Sequence, residues 1–431
     1  MKRYDSYKDS GVEWIGKIPS HWDLLKGKYS TKVVSGFPFN SDLFTYDEDD
    51  SYLPLIRIRD ITNLTTEVRY KGKYPEESVV NNGDVLIGMD GDFNISLWKG
   101  EKGLLNQRVC RLVETDRLDK KYAYYMLGFP LKCINDVTYS TTVKHLSTYD
   151  ILDTILPVPP INEQKEIANY LDKKCGEIDK AIATQEKRVE LLKELRQNII
   201  TQAVTRGINP DAPLKDSGVE WIGEVPEHWD IKRIKHCTQI FGRIGFRGYT
   251  TQDLVLEGEG PITLSPSNMQ GRMNYDSCTY LSWFKYNESP EIQIHNGDVL
   301  FVKTGSTYGK SAYVENLPME ATINPQIVVF KDFKDCNSKF FYYLLTTDIV
   351  QSQVDNTVIG STIPTIGQEK IRNYVIPMPP LSEQEEIVSY IESQTARLDT
   401  SIEKAEHQIE LLQELKQSII TEVVTGKRKV C

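Results

Sequence analysis

Two stretches of the chain, each opening just after a Pro-Pro pair, carry a helical period for roughly 44 residues. In the first, Leu171, Ile178, Gln185, Leu192 and Ile199 recur every seven residues. A second series runs through Cys175, Ile182, Val189 and Ala203, with Arg196 interrupting it. The later stretch repeats the seam with Ile391, Leu398, Ala405, Leu412 and Ile419, joined by Ile402, Ile409 and Val423. Apolar residues at heptad spacing over several heptads predict a coiled coil. Pro160 and Pro380 suit the helix entries, and Asn162 and Ser382 are placed to cap the first turns. At about 1.5 Å per residue each helix would extend on the order of 65 Å, too long to bury its stripe on one small domain. The natural partner of each is the other copy, and the short link Arg206 to Asp216 predicts that the two run antiparallel.

Elsewhere the pattern is of short β-rich runs bounded by turn residues. DVLIGM, RVCRLV and TILPVP precede the first helix, and DVLFVK, SAYVEN and QIVVFK precede the second. Short helices are expected over KKYAYYMLG and SKFFYYLLT, with their aromatic residues in the core. Each head therefore reads as α+β.

The two head-plus-helix segments are copies of one unit. KDSGVEWIGKIPSHWD (Lys8 to Asp23) returns as KDSGVEWIGEVPEHWD (Lys215 to Asp230), identical at 13 of 16 positions. NNGDVL matches HNGDVL, LPVPPINEQKEIANYL matches IPMPPLSEQEEIVSYI, and ELLKELRQNIIT matches ELLQELKQSIIT, all in the same order. Between these blocks the halves differ. VVSGFPFNSDLFTYDEDD faces TQIFGRIGFRGYTTQDLV, and LPLIRIRDITN faces GPITLSPSNMQ. Either the inserts drifted neutrally after duplication, or they bind two different things. Trp14, Trp22, Trp221 and Trp229 belong to the constant blocks. Identical residues cannot read different ligands, so anchoring each head to its helix is the role expected of them.

Composition narrows the class. The 431 residues, 39% apolar and 26% charged, suit a soluble globular protein of two or three domains. No run approaches the ~20 apolar residues of a membrane span, and the start MKRYDSYKDS lacks a signal-peptide core. The expected compartment is the cytoplasm. Seven scattered cysteines without a CxxC pair fit reduced thiols. A net charge of -10 is the wrong sign for bulk electrostatic binding to DNA, so any DNA contact must rest on local basic groups or on partners.

Catalytic motifs are wanting. NPQI at Asn324 lacks the second Pro and the aromatic residue of a base methyltransferase. The glycines of FGRIGFRG lack the strand and helix that a cofactor loop needs. Glu163-Gln164-Lys165 is answered by Glu383-Gln384-Glu385, and both stand at helix starts, where acidic residues are favoured. The six His form no ligand cluster and no Walker A sequence is present. No catalytic or metal-ligating residues are assigned. The polar side chains suited to base edges lie in the divergent segments and in the loops after the constant blocks. They are Arg57, Arg59, Lys99, Asn106, Gln107, Lys144 and His145 in the first head, and Arg243, Arg247, Ser267, Asn268, Lys303, Thr304, Ser306, Lys310, Asn324 and Thr362 in the second. Ile167, Leu191, Leu195, Ile200, Ile387, Leu411, Leu415 and Ile420 widen the helix stripe beyond a two-stranded coil. They serve either packing against their own heads or docking of another subunit's helices.

The doubled DSGVEWIG...P.HW, GDVL, PP(I/L)xEQxxI and ELLxELxQxIIT blocks resemble the specificity subunit of type I restriction-modification systems over essentially the whole chain. The resemblance implies an α+β fold with a pseudo-twofold internal repeat. Target recognition domains at 1–158 and 208–378 are separated by antiparallel coiled-coil conserved helices, at 159–207 and 379–431. It implies a non-catalytic protein that binds double-stranded DNA, each recognition domain reading one half of a split, asymmetric site. Two modification subunits would bind the helices, and restriction subunits would join through the complex. No cofactor is expected on this chain, since methyl donor, ATP and magnesium would sit on the partners. A self-sufficient restriction or modification enzyme and a bivalent protein scaffold are the alternatives.

Overall fold

The computed structural model describes the chain apart from residues 1, 50, 139–143, 244, 271, 361–362 and 431. It divides into two compact units, Met1–Glu186 with Glu406–Cys431, and Lys187–Ala405. A central helix, Ile161–Arg206, and a C-terminal helix, Leu381–Val424, each contribute to both units. Both helices begin two residues earlier than caps at Asn162 and Ser382 would require, so these two residues lie inside the first turns. The carbonyls of Pro160 and Pro380 accept the first helical hydrogen bonds, from Gln164 N and Gln384 N at 3.0 Å each, and a proline, which has no N–H to give, suits that place.

Besides two two-stranded pairs, the first unit holds two larger sheets. The four-stranded one has β1 (Lys32–Ser35) and, beyond it, β2 (Val85–Gly88), β3 (Ile95–Leu97) and β4 (Val109–Val113), in the order β3-β2-β4-β1, antiparallel throughout. The five-stranded one contains a single parallel pair, Leu53–Ile56 beside Gly103–Leu105. The second unit repeats both. Its β5 (Gln239–Gly242), β6 (Val299–Val302), β7 (Ser311–Tyr313) and β8 (Ile327–Lys331) order as β5-β8-β6-β7, and its parallel pair is Ile262–Leu264 beside Ala321–Ile323. The repeated GDVL turn leads into β2 and β6. Gly83 and Gly297 take the left-handed φ of 85° and 95°, and the Asp84 and Asp298 carboxylates accept from Asn81 N and His295 N at 2.8 Å.

Helices Lys120–Val137 and Ser338–Leu345 pack against these sheets and bury Tyr122, Tyr125, Phe340, Phe341 and Tyr343. The core of each unit then continues onto the long helices. Ile167, Leu171, Ile178, Ile419 and Val423 join the first, and Ile200, Val204, Ile387 and Ile391 the second. Within each unit the two helix segments run antiparallel. In the first, Asp179 accepts from Lys416 at 2.6 Å, and Glu163 lies by Lys429. In the second, Asp399 accepts from Arg196 at 2.7 Å, and Glu383 lies by Gly207.

The partner-facing set divides on burial. Ile167, Ile200 and Ile387 are not docking surface but core, 0–1% exposed, because the heads cover both ends of the helical stripe. Ile420 is partly buried against the first core. Leu191, Leu195, Leu411 and Leu415 stand 47–51% exposed at matching places in the repeat.

Candidate nucleic-acid interface

Each head has two chemically distinct ends, and the constant blocks build one of them. Trp22 and Trp229 are fully buried and donate through Nε1 to Glu163 and Glu383 at 3.1 Å. The second carboxylate oxygens meet His21 at 2.9 Å and His228 at 2.7 Å. In the first unit Tyr4 adds a hydroxyl donor at 2.7 Å. Burial alone would raise the Glu163 carboxyl, but the hydrogen bonds from Tyr4, His21 and Trp22 outweigh it and hold the group below its ordinary value.

The neighbouring glutamines complete the joint. Gln164 is 0% exposed, accepts from Asp119 N at 2.9 Å and donates to the carbonyls of Arg117 and Pro159 at 2.8 Å. Gln384 accepts from Asn337 N at 2.7 Å and donates to Asp335 and Pro379 at 3.1 and 2.8 Å. Thus His-Trp of one constant block and Glu-Gln of another form one lock, made twice. Trp14 instead sits against Phe129, with ring centroids 5.5 Å apart, and Trp221 is 45% exposed, so the anchoring role belongs to Trp22 and Trp229 alone.

The other end lies where β2 and β6 run out. In the first head Met89 N donates to Arg108 O at 3.0 Å, Leu146 N to Met89 O at 2.7 Å, and Gly91 N to Lys144 O at 3.0 Å. In the second, Lys303 N donates to Gln326 O at 2.8 Å, Ile366 N to Lys303 O at 2.8 Å, and Gly305 N to Pro364 O at 2.9 Å. Asn106 N reaches Ile56 O at 3.1 Å and Asn324 N reaches Leu264 O at 2.9 Å. Each backbone bond has its counterpart, so 108 matches 326, 90 matches 304, 145 matches 365 and 106 matches 324. The shared scaffold carries unlike side chains. Arg108, Asp90 and His145 meet in the first head, and Gln326, Thr304 and Thr365 replace them in the second.

Several of the sequence-selected residues gather at this edge. Asn106, Gln107, Lys144 and His145 do so in the first head, and Lys303, Thr304, Ser306 and Asn324 in the second. Arg57 and Arg59 adjoin it through the Ile56 carbonyl. The Arg57 fork is engaged by Asp60 at 2.9 and 3.2 Å, which raises its guanidinium above its ordinary value. Lys144 donates to Asn135 at 2.6 Å. Lys310 flanks the edge at the far side of the 302–310 turn, where its carbonyl accepts from Val302 N.

Others stand apart. Lys99 is exposed beside the GDVL turn, at the opposite end of β2. Arg247 is half-buried and pairs with Glu291 at 3.3 Å, and Ser267 is exposed beside Ser265. Arg243 and Asn268 lie beneath the surface. Arg243 is 6% exposed, donates to Ile323 O at 3.2 Å and Thr322 Oγ1 at 3.0 Å, and lies under the Tyr249 ring, with burial lowering its guanidinium. Asn268 is 3% exposed, with its oxygen on Ser265 N and its amide on Asn274 O. Both hold loops in shape and neither faces a base edge. Thr362 falls outside the described residues. Sequence reading passed over Asp90, Arg108, Gln326 and Thr365, whose only signal is their backbone placement.

Comparison with known proteins bears on these two heads. A family model described as the type I restriction modification DNA specificity domain matches twice, over residues 32–193 and 250–411. The specificity subunit of the type I restriction enzyme EcoBI of Escherichia coli is 28% identical over 429 residues, covering 97% of this chain and 89% of its own. The MjaVIII specificity subunit of Methanocaldococcus jannaschii is 24% identical over 426 residues, covering 96% and 94%. A chain solved in a study of complex assembly and conformational transition of the type I R-M system shares the fold. Its TM-score is 0.66 at 15% identity, covering 94% of this chain and 98% of that one. No helix among the described residues is long and apolar enough to cross a membrane. With two matched copies spanning well over half its length, the chain belongs to the family of type I restriction-modification DNA specificity proteins.

Proposed function

We propose that this chain is the non-catalytic DNA-recognition subunit of a cytoplasmic type I restriction-modification complex, reading a bipartite, asymmetric site with one half assigned to each head. One observation carries the reading: the locks are the same residues in both units, while the edges at 90, 108 and 145 and at 304, 326 and 365 share a backbone and differ in chemistry. Duplicated frames that served a single ligand would have no need of unlike edges.

Assembly follows from the same repeat. Leu191 with Leu195, and Leu411 with Leu415, offer each unit one exposed apolar pair on a helix. Helices of one modification subunit would cover each pair, two subunits in all, and restriction subunits would join through them. Methyl donor, ATP and magnesium would belong to those partners, and their basic surface would offset the charge of -10. The test exchanges residues 227–375 for the same region of a relative in a host that supplies the modification subunits. Methylome sequencing should show one half of the site changed and the other kept. An unchanged site would overturn the reading.

A further inference from the structure

The two edges differ most at one matched position, held by Arg108 in the first head and Gln326 in the second. Arg108 has 56% of its side chain exposed, and its contact with Asp90 is made through Nε, at 3.4 Å. Asp90 is itself fixed from the other side by His145 Nδ1 at 2.7 Å. A carboxylate on Nε orients the guanidinium and leaves the two terminal nitrogens as a forward fork, the geometry that matches O6 and N7 of guanine. Gln326 is steadied by Asn324, whose Nδ2 donates to its Oε1 at 3.0 Å. A Cβ on the matched Gly305 would come within 3.2 Å of the Gln326 amide nitrogen, so glycine there leaves the amide its space. A positioned carboxamide matches N6 and N7 of adenine.

We propose that Arg108 reads a guanine in the first half-site, with Asp90 and His145 as its positioning residues, and that Gln326 reads an adenine at the matched place in the second. This rests on the recognition reading above. It goes beyond it by assigning a base to a residue.

The test selects duplexes from a randomised library with the assembled complex of this chain and its modification subunits. The first half-site is identified as the half that changes when residues 20–155 are exchanged for a relative's. The wild type should demand guanine at one position of that half. In Arg108→Gln that demand should fall by roughly 5- to 150-fold, the discrimination carried by one bidentate pair, and in Arg108→Lys, which lacks the planar fork, it should fall by less, with every other position kept. Asp90→Ala should relax the same position alone, and Gln326→Arg should move the matched position of the second half from adenine to guanine. Arg108→Lys keeps the charge at an exposed site, so it separates base reading from phosphate attraction and from misfolding. A uniform loss of affinity with unchanged base preference would make Arg108 a phosphate contact and overturn the proposal. So would an unchanged preference in all the variants, provided the head exchange still alters one half-site. If the head exchange alters neither half, the recognition reading itself fails.

Discussion

The lock and the proposed reading edge of each head are made from the same kind of parts, and between the two heads one is kept while the other differs. At the lock, His21, Trp22, Glu163 and Gln164 have counterparts in His228, Trp229, Glu383 and Gln384, identical in type, with partner distances within 0.3 Å of one another. At the edge the matched backbone carries a guanidinium, a carboxylate and an imidazole on one side and an amide with two hydroxyls on the other. A joint that must fit its own chain admits little change. A surface that must fit something else changes whenever that something does.

The likeness of the locks can be broken by substitution, read as amide-exchange protection of each unit separately. Trp22→Ala and Trp229→Ala should cost the most, about 3–5 kcal/mol, since each empties a fully buried indole site and removes one donor from a carboxylate. Unequal losses in the two units would show that the joints only look alike. Gln164→Leu and Gln384→Leu should follow at about 2–4 kcal/mol, because each leaves a backbone N–H and two carbonyls unpaired in the interior.

Glu163→Gln should cost about 1–2 kcal/mol at neutral pH, and this loss has a definite pH dependence. The folded carboxyl lies below its ordinary value, so its contribution is complete above the unfolded pKa, about 4.3, and disappears as pH falls through the lower folded value. Wild type and variant should therefore converge in acid unfolding once the pH has fallen below the folded value. A constant gap would remove the charge from the account. Glu383→Gln should cost less, for Tyr4 has no counterpart among the donors to Glu383 in the described residues. The smallest effect is expected from Leu411→Ser with Leu415→Ser, within about 0.5 kcal/mol of wild-type stability because both residues are already exposed. The same pair should sharply weaken co-purification of modification subunits. Retention of both subunits would remove these leucines from the interface.

The architecture was legible in the sequence wherever a periodicity or a repeat encoded it. The heptads located both long helices, and the doubled blocks announced two heads on one plan. Legibility ended where tertiary contacts decide. Arg243 stands in a divergent, glycine-rich segment, as a base reader would, and its inward turn depends on Thr322 and Ile323, some eighty residues away. Ile167, Ile200 and Ile387 belong to the same helical stripe as the exposed leucines, and only the heads' cover separates the two sets. Asp90, Arg108 and His145 are neighbours through hydrogen bonds between three loops, which no local spacing records.

The unequal make-up of the two units bears on synthesis. Residues 187–405 are contiguous, so that unit's core can close as soon as its own stretch is made. The other unit needs Ile419, Val423 and Val424, more than two hundred positions after its first segment ends at residue 186. At ~5–20 residues per second the earlier head waits about 10–45 s with part of its apolar surface uncovered. The head made first is thus the last to mature, and a released chain truncated after residue 405 should yield a protease-resistant second unit beside a susceptible first one.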